Sequence, residues 1–99
     1  MEDCLLVLFA APELEEPLID WLLEREDVPG FGTQRIAGHG TSPASLRLAE
    51  QVAGRRPRLR VEIALSRENA PALLEALRRE FGGSGLHYWV LPFLDAGRF

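Results

Sequence analysis

The chain has no lysine: its eleven basic residues are all arginines, set against fifteen acidic residues. This absence excludes chemistry that needs a lysine amine, such as Schiff-base catalysis or the lysine of a Walker-type phosphate loop. The single cysteine, Cys4, has no partner for an internal disulfide, which is typical of a cytoplasmic protein. No apolar run reaches the roughly 20 residues that a bilayer requires, so we expect no direct membrane insertion.

Length and charge narrow the function classes further. The 99 residues, 46% of them hydrophobic, predict a single globular domain over residues 1–99. The net charge of −4 argues against a nucleic-acid partner, which would favour a basic surface. The charge is nevertheless uneven, because residues 1–27 carry a net −8 and residues 47–60 a net +4.

Hydrophobic patterning predicts the elements of the first half. The unbroken apolar run 4–9 indicates a central strand that is buried on both faces. Prolines and acidic residues predict a helix that begins between residues 12 and 17 and ends near Asp27. Residues 31–39 alternate only weakly and contain two glycines, which favours a less regular outer strand.

The second half repeats the pattern. Residues 59–65 alternate as a strand with one buried face, and a helix capped by Ser66 and stopped by Gly82 follows. A last strand, 88–94, contains a proline and is expected at an edge. The order β-α-β-β-α-β predicts an α+β, ferredoxin-like fold with a four-stranded antiparallel sheet and both helices on one face. The other face needs a cover, so we expect self-association.

The connection between the two middle strands, residues 40–57, is long for a compact domain and is therefore a candidate functional segment. A short helix over 45–53 is one expectation there. Arg47, Arg55 and Arg56 are candidates for binding a phosphate or an acidic partner. By contrast, we expect Arg58 and Arg60, on the polar face of the next strand, to be solvated or salt-bridged.

Catalytic and RNA-binding signatures are absent from the sequence. No serine stands in a recognised nucleophile motif, no pair of cysteines suggests a metallochaperone, and the expected central strands offer only Phe9 for stacking bases. We therefore expect no enzymatic activity. Trp21, Tyr88 and Trp89 are expected to be core or subunit-contact residues.

A divalent metal is a second type of candidate ligand. His39 and His87 are the two histidines, and they could share zinc or copper with Cys4 or an acidic residue as a third ligand. The spacing of these residues matches no known metal motif, so hydrogen-bonded or solvated histidines are the alternative.

Several segments resemble PII signalling proteins. Ile36-Ala37-Gly38-His39-Gly40 and the segment 57–63, Pro-Arg-Leu-Arg-Val-Glu-Ile, are similar to the strands V-x-G-F-G and P-K-V-K-I-E-I that flank the long T-loop of that family. Residues 83–92 resemble its G-D-G-K-I-F-V-L-P segment. Residues 48–55 and 86–90 look closer still to a family of short, uncharacterised bacterial PII-like proteins, which the resemblance implies lie near heavy-metal efflux systems.

The resemblance implies a homotrimer that binds ATP or ADP in clefts between subunits and controls a partner, plausibly a membrane transport system, through the T-loop-like segment 40–57. It places Gly38, His39 and Gly40 at the loop base. It also places Gly83, Ser84 and Gly85 in a phosphate-facing loop, and Arg98 near the neighbouring cleft. Ser84 stands at the family's aspartate position, and the lysine that follows there has no counterpart.

Two alternatives remain open from the sequence. The first is a metal-binding tolerance protein that resembles the divalent-cation CutA trimers, in which His39 and His87 act directly. The second is an interaction domain without a ligand. The cofactor therefore remains unassigned between a nucleotide, another anion and a divalent metal.

Overall fold

The computed structural model describes residues 1–39 and 56–99 of the chain. In these two ranges, four strands and two helices follow one another in the predicted order, and a 3-10 turn precedes the first helix. The elements are β1 (Cys4–Ala10), the 3-10 helix Pro12–Leu14, α1 (Glu15–Leu23), β2 (Gly32–Gly38), β3 (Arg56–Leu65), α2 (Ala70–Phe81) and β4 (His87–Pro92). The predicted helix over 45–53 lies outside the described residues.

The strands form one sheet in the order β2-β3-β1-β4. Each neighbouring pair is antiparallel, and the register places Cys4 opposite both Leu65 on β3 and Pro92 on β4. This arrangement confirms the ferredoxin-like fold. It also confirms β1 as a central strand and β2 and β4 as the two edges.

The core lies between the sheet and the two helices. On β1 and β3 the alternate residues that face the helices are almost completely buried, with Leu18 and Leu22 of α1 and Leu73 and Leu77 of α2 against them. The other face of β1 is also covered, because Val7 is fully buried and Phe9 is 7% exposed. The unbroken apolar run of β1 therefore corresponds to a strand that is buried on both faces, as expected.

Both helices differ from prediction at one end. α1 ends at Leu23 rather than near Asp27, because Arg25 turns back to donate two hydrogen bonds to Asp27, each of 2.8 Å. The guanidinium of Arg25 also lies 4.7 Å from the centre of the Trp21 ring. These contacts stabilise a turn where the periodic pattern alone would extend the helix.

At the start of α2 the cap is displaced by one turn. Asn69, not Ser66, precedes the helix at the N-cap position. The Ser66 hydroxyl instead accepts a hydrogen bond of 3.3 Å from the Asn69 N–H and so stabilises the turn that leads into the helix.

In the described part of the chain, no helix is both long and apolar enough to span a membrane.

Candidate functional site

The face of the sheet that points away from the helices, here called the open face, carries a row of polar side chains on β3. Arg58, Arg60 and Glu62 alternate with the buried core residues of this strand. The Arg60 guanidinium donates to Glu62 at 2.9 Å and lies 5.8 Å from the centre of the Phe9 ring. Arg60 is thus salt-bridged on a partly exposed surface, as the sequence predicted.

Arg58 differs from that expectation because it is buried, with 9% of its surface exposed. Its guanidinium donates a hydrogen bond of 3.4 Å to the carbonyl of Phe9 near the end of β1. The prediction of a solvated Arg58 is therefore wrong. An alternating pattern tells which face a side chain occupies, whereas the depth of burial depends on the strands on either side.

His87 lies beside this arginine at the start of β4. It pairs with Phe9 in the register, and the two rings stack with their centres 5.0 Å apart. Burial lowers the pKa of His87, and the positive charges of Arg58 and, more weakly, Arg56 lower the pKa further, although a hydrogen bond with the Gly85 backbone opposes them. The positive charges of both arginines are therefore close enough to the His87 imidazole to lower its pKa.

Gly38 completes this end of the sheet. It is the last residue of β2 and lies opposite Arg56 on β3. A Cβ atom at this position would be only 3.1 Å from Cγ of Arg58, so the glycine makes room for the stem of the buried arginine. We call Gly38, Arg56, Arg58 and His87 the loop-base cluster, because they lie where the connection between β2 and β3, residues 39–55, begins and ends.

The turn between α2 and β4 leads directly to His87, a member of the loop-base cluster. Gly83 and Gly85 both have φ of +82°, a conformation that favours glycine. The Ser84 N–H and hydroxyl both donate to the carbonyl of Phe81, at 3.1 and 2.5 Å, and the hydroxyl also accepts from the Leu86 N–H at 3.3 Å. Ser84, which stands where the PII proteins of the sequence resemblance have aspartate, thus stabilises the turn through hydrogen bonds within it.

The remaining candidates of the sequence lie next to this cluster, after β4 or outside the described residues. His39 is exposed and directly follows β2. Arg98 is also exposed, in the segment that follows β4. Gly40, Arg47 and Arg55 lie outside the described residues.

Cys4, which was a candidate third metal ligand beside an acidic residue, does not lie near His87. The Cys4 thiol is buried and donates to the carbonyl of Leu65 at 3.4 Å. Cys4 and the partner of His87, Phe9, are five positions apart on β1, which corresponds to roughly 17 Å along a strand. Among residues 1–39 and 56–99, no group of three or more His, Cys, Asp or Glu side chains could hold a metal ion.

A pocket adjoins the cluster on its helix side. It has a volume of about 190 Å³ and is lined by Pro12, Glu15, Arg35, Pro57, Arg58 and Leu59. One wall is polar, because Arg35 donates to Glu15 at 2.8 Å, while the prolines and the leucine form an apolar remainder. Sequence reasoning missed this pocket, since its walls come from four separate elements.

Solved structures share this fold over nearly the whole chain. A nitrogen regulatory PII-like protein from Thiomonas intermedia K12, CPII, solved with ADP, AMP and bicarbonate, matches with a TM-score of 0.71 and 20% identity over 99% of this chain and 96% of that one. A protein from Thermus thermophilus that is described as PII-like matches with a TM-score of 0.62 and 21% identity over 91% and 84% of the two chains. The fold is therefore PII-like, as the sequence resemblance implied.

A family model gives a more specific assignment than the shared fold does. A model of the family described as "Protein of unknown function (DUF3240)" matches residues 1–99, and this chain belongs to that family. A DUF3240 protein from Shewanella baltica OS155 has 26% identity and a TM-score of 0.78 over 100% of this chain and 98% of that one. A search of curated proteins gave no match. The sequence resemblance to a short, uncharacterised PII-like family is thus confirmed.

Proposed function

We propose that this protein is a PII-like regulator without catalytic activity that binds an adenine nucleotide, or another small anion, between the subunits of a homotrimer. The observation that carries the proposal is the buried Arg58 of the loop-base cluster. A guanidinium held at low exposure beside Arg56 and His87 provides a concentrated positive charge at the base of the long connection.

The cluster has the chemistry that a phosphate or carboxylate ligand requires. Arginine offers several donors in a planar fork and binds such groups more strongly than a neutral donor does. The arginines of β3 also replace the cation that a lysine supplies in PII phosphate loops. Glycines with positive φ in the turn before His87 let backbone N–H groups approach an anion closely.

The PII-like fold supports a nucleotide as the ligand, because CPII, which has this fold, was solved with ADP, AMP and bicarbonate. The pocket lined in part by Pro12, Pro57 and Leu59 offers apolar surface next to the cations, which suits a base joined to phosphates. The exposed Arg98 follows β4 in the chain, and in this proposal it serves the cleft of a neighbouring subunit.

Calorimetry with ATP, ADP and AMP tests the proposal. Replacement of Arg58 by glutamine should weaken the binding of the tightest nucleotide by roughly tenfold or more, because a charge-assisted hydrogen bond is lost. Arg56→Gln should show the same direction, which keeps the test valid if the buried variant folds poorly. Arg79→Gln is the matched control, since Arg79 lies on α2 with 80% of its side chain exposed.

Two outcomes would contradict the proposal. One is the absence of any nucleotide binding by the parent protein. The other is an equal loss of binding in the Arg79 control and in the cluster variants. Zinc and copper are titrated into the same sample, and metal binding that disappears in His39→Ala and His87→Ala would favour the metal-tolerance alternative instead.

In the proposed function the protein is cytoplasmic, its segment 40–57 contacts a membrane transport system, and the nucleotide changes that contact. Arg47 and Arg55 lie in this segment and would meet an acidic surface. In-cell crosslinking should therefore capture a membrane protein with the parent but less of it with Arg47→Gln/Arg55→Gln. Capture that is unchanged in this variant would contradict the role of the segment.

A further inference from the structure

Strand β4 forms one edge of the sheet, and its apolar side chains are partly exposed on both faces. The exposed fractions of Tyr88, Trp89, Val90 and Leu91 are 45, 52, 39 and 42%. Tyr88 pairs with Leu8 of β1 in the register, and Leu8 belongs to the core between the sheet and the helices. Because paired residues of neighbouring strands share a face, the half-exposed Tyr88 also lies on the helix side of the sheet.

A pocket of about 130 Å³ lies between Tyr88 and α2. Ring packing from α1 holds one of its walls, because the rings of Trp21 and Phe81 meet edge-on with their centres 5.6 Å apart. Water is held in a cavity only where several polar groups surround it, whereas most of this wall is carbon, so the pocket favours an apolar group. The apolar wall consists of Leu8, Leu74, Leu77, Phe81, Leu86 and Tyr88.

The volume of the pocket sets the size of the group that it accepts. In another protein, a dry cavity of about 150 Å³ lined by leucine, isoleucine and phenylalanine binds benzene. The pocket beside Tyr88 is slightly smaller, but it is not closed, since Gly82 and Gly83 at the end of α2 also line it. A Cβ atom at Gly83 would meet no atom within 4 Å. One aromatic ring or a branched alkyl chain of similar size therefore fits, with the rest of the molecule at the mouth.

Arg78 supplies the charge among the described residues that line this pocket. Its side chain is 62% exposed, and the guanidinium donates to the Glu75 carboxylate at 2.8 Å. Glu75 also lies 3.6 Å from Arg79, so it retains a cationic partner when Arg78 turns to another carboxylate. Two arginines beside one glutamate leave one positive charge in excess, and the planar fork of arginine matches a carboxylate.

We propose that this pocket binds a small monocarboxylate with an aromatic or branched aliphatic body, of the size of benzoate or isovalerate. The body lies between α2 and Tyr88, and the carboxylate pairs with Arg78. The partial negative charge at the C-terminus of α2 acts against an anion, which makes Arg78 decisive for this ligand class.

The site is separate from the proposed nucleotide site and does not depend on it. It lies on the helix side of β4, whereas His87 stacks on Phe9 at the open face. It also shares no lining residue with the pocket that adjoins the loop-base cluster. The inference therefore goes beyond the proposed function, and a failure of either leaves the other standing.

Titration of the full chain with benzoate and isovalerate, followed by NMR, is the first part of the test. Both should bind saturably in the millimolar range or more tightly, as suits ligands with so few atoms. Benzyl alcohol and isopentanol have the same apolar bodies without the charge, and they should bind more weakly.

Two charge variants should change benzoate binding in opposite directions. Arg78→Gln should weaken it by roughly fivefold or more, because a charge-assisted hydrogen bond is lost, while binding of benzyl alcohol stays unchanged. Glu75→Gln removes the competing carboxylate and should strengthen benzoate binding. Arg67→Gln is the matched control, since Arg67 is exposed before α2 and does not line the pocket; it should bind benzoate as the parent does.

A third variant fills the pocket itself. Leu74→Phe adds volume at a partly buried wall residue and should abolish binding of both benzoate and benzyl alcohol. Leu23→Phe, at a position on α1 with 69% exposure, controls for the added ring. The test survives if Leu74→Phe folds poorly, because half of the Glu75 side chain is exposed and the effect of Glu75→Gln has the opposite sign.

Four results would overturn the inference. The first is a parent that shows no saturable binding of either carboxylate at tens of millimolar. The second is an equal loss of benzoate binding in Arg78→Gln and Arg67→Gln, and the third is unchanged binding in a folded Leu74→Phe variant. The fourth is benzoate binding that weakens as the protein concentration rises, which would mean that a side chain of a second copy fills the pocket.

Discussion

Partial burial and the charge of Arg58 both lower the pKa of His87, and this gives the loop-base cluster a measurable pH dependence. The pKa of His87 is lowered from its ordinary value of 6.5 by burial first and then by Arg58. The unfolded chain therefore takes up the proton at a higher pH than the folded chain does. As the pH falls through about 6.5, this difference progressively destabilises the fold, whereas well above that pH His87 is neutral in both states.

Proton NMR of the His87 ring measures this directly. We expect a pKa below 6.5 in the parent and a higher pKa in Arg58→Gln, because one repelling charge is removed. Arg79→Gln should leave the value unchanged. A pKa of His87 that does not respond to Arg58→Gln would show that the two side chains do not interact as the structure places them.

For single residues, the sequence predicted backbone conformation better than the depth at which a side chain is buried. The resemblance placed the glycines at 83 and 85 in a phosphate-facing loop, and both have the positive φ that favours glycine in such a turn. The burial of Arg58 was missed, because a strand pattern shows only that the side chain lies on the open face. The Phe9 carbonyl that accepts its hydrogen bond lies 49 residues away along the chain, and no local pattern reports such a contact.

The end of α2 depends on the close approach of Gly82 to the helix. A Cβ atom at this position would lie 2.5 Å from the carbonyl oxygen of Arg78, which is closer than such atoms approach in proteins. Gly82→Ala should therefore shift the last turn of α2 and lower the free energy of unfolding by about 1–3 kcal/mol, as overpacking does.

Chemical denaturation of Gly82→Ala and Gly97→Ala checks this prediction. Gly97 has no atom within 4 Å of an added Cβ, so its variant controls for the general effect of replacing glycine. Equal stabilities of the two variants would mean that the helix end accommodates a side chain at Gly82 without cost.

The elements themselves were predictable because each has its own periodicity, as in the alternation of β3 and the apolar stripe of α2. The residues at which the elements begin and end were less predictable. α1 stops at Leu23 through the ion pair of Arg25 with Asp27, where a side-chain contact competes with continuation of the helix. Proline at 92 correctly indicated an edge strand, but the pattern did not show that both faces of β4 would be exposed.

For the whole molecule, the exposed β4 makes stability depend on association. Burial of apolar surface between copies stabilises the folded state by mass action. The midpoint of thermal unfolding should therefore rise with protein concentration for the parent. It should be lower and nearly independent of concentration for Trp89→Ser.

Differential scanning calorimetry over a hundredfold range of concentration measures this effect. Leu23→Ser, which removes an exposed leucine elsewhere, should retain the concentration dependence of the parent. A midpoint of the parent that stays constant over the range would show that folding and association are not linked.

The single thiol of the chain lies at the start of the central strand β1, and its reactivity therefore measures how often the sheet unfolds at this end. Cys4 is completely buried, pairs with both β3 and β4, and has a pKa raised first by burial and then by Asp3. A thiol reagent can modify it only after these strands separate. The labelling rate therefore reports how often the sheet opens, in a chain where no second cysteine complicates the signal.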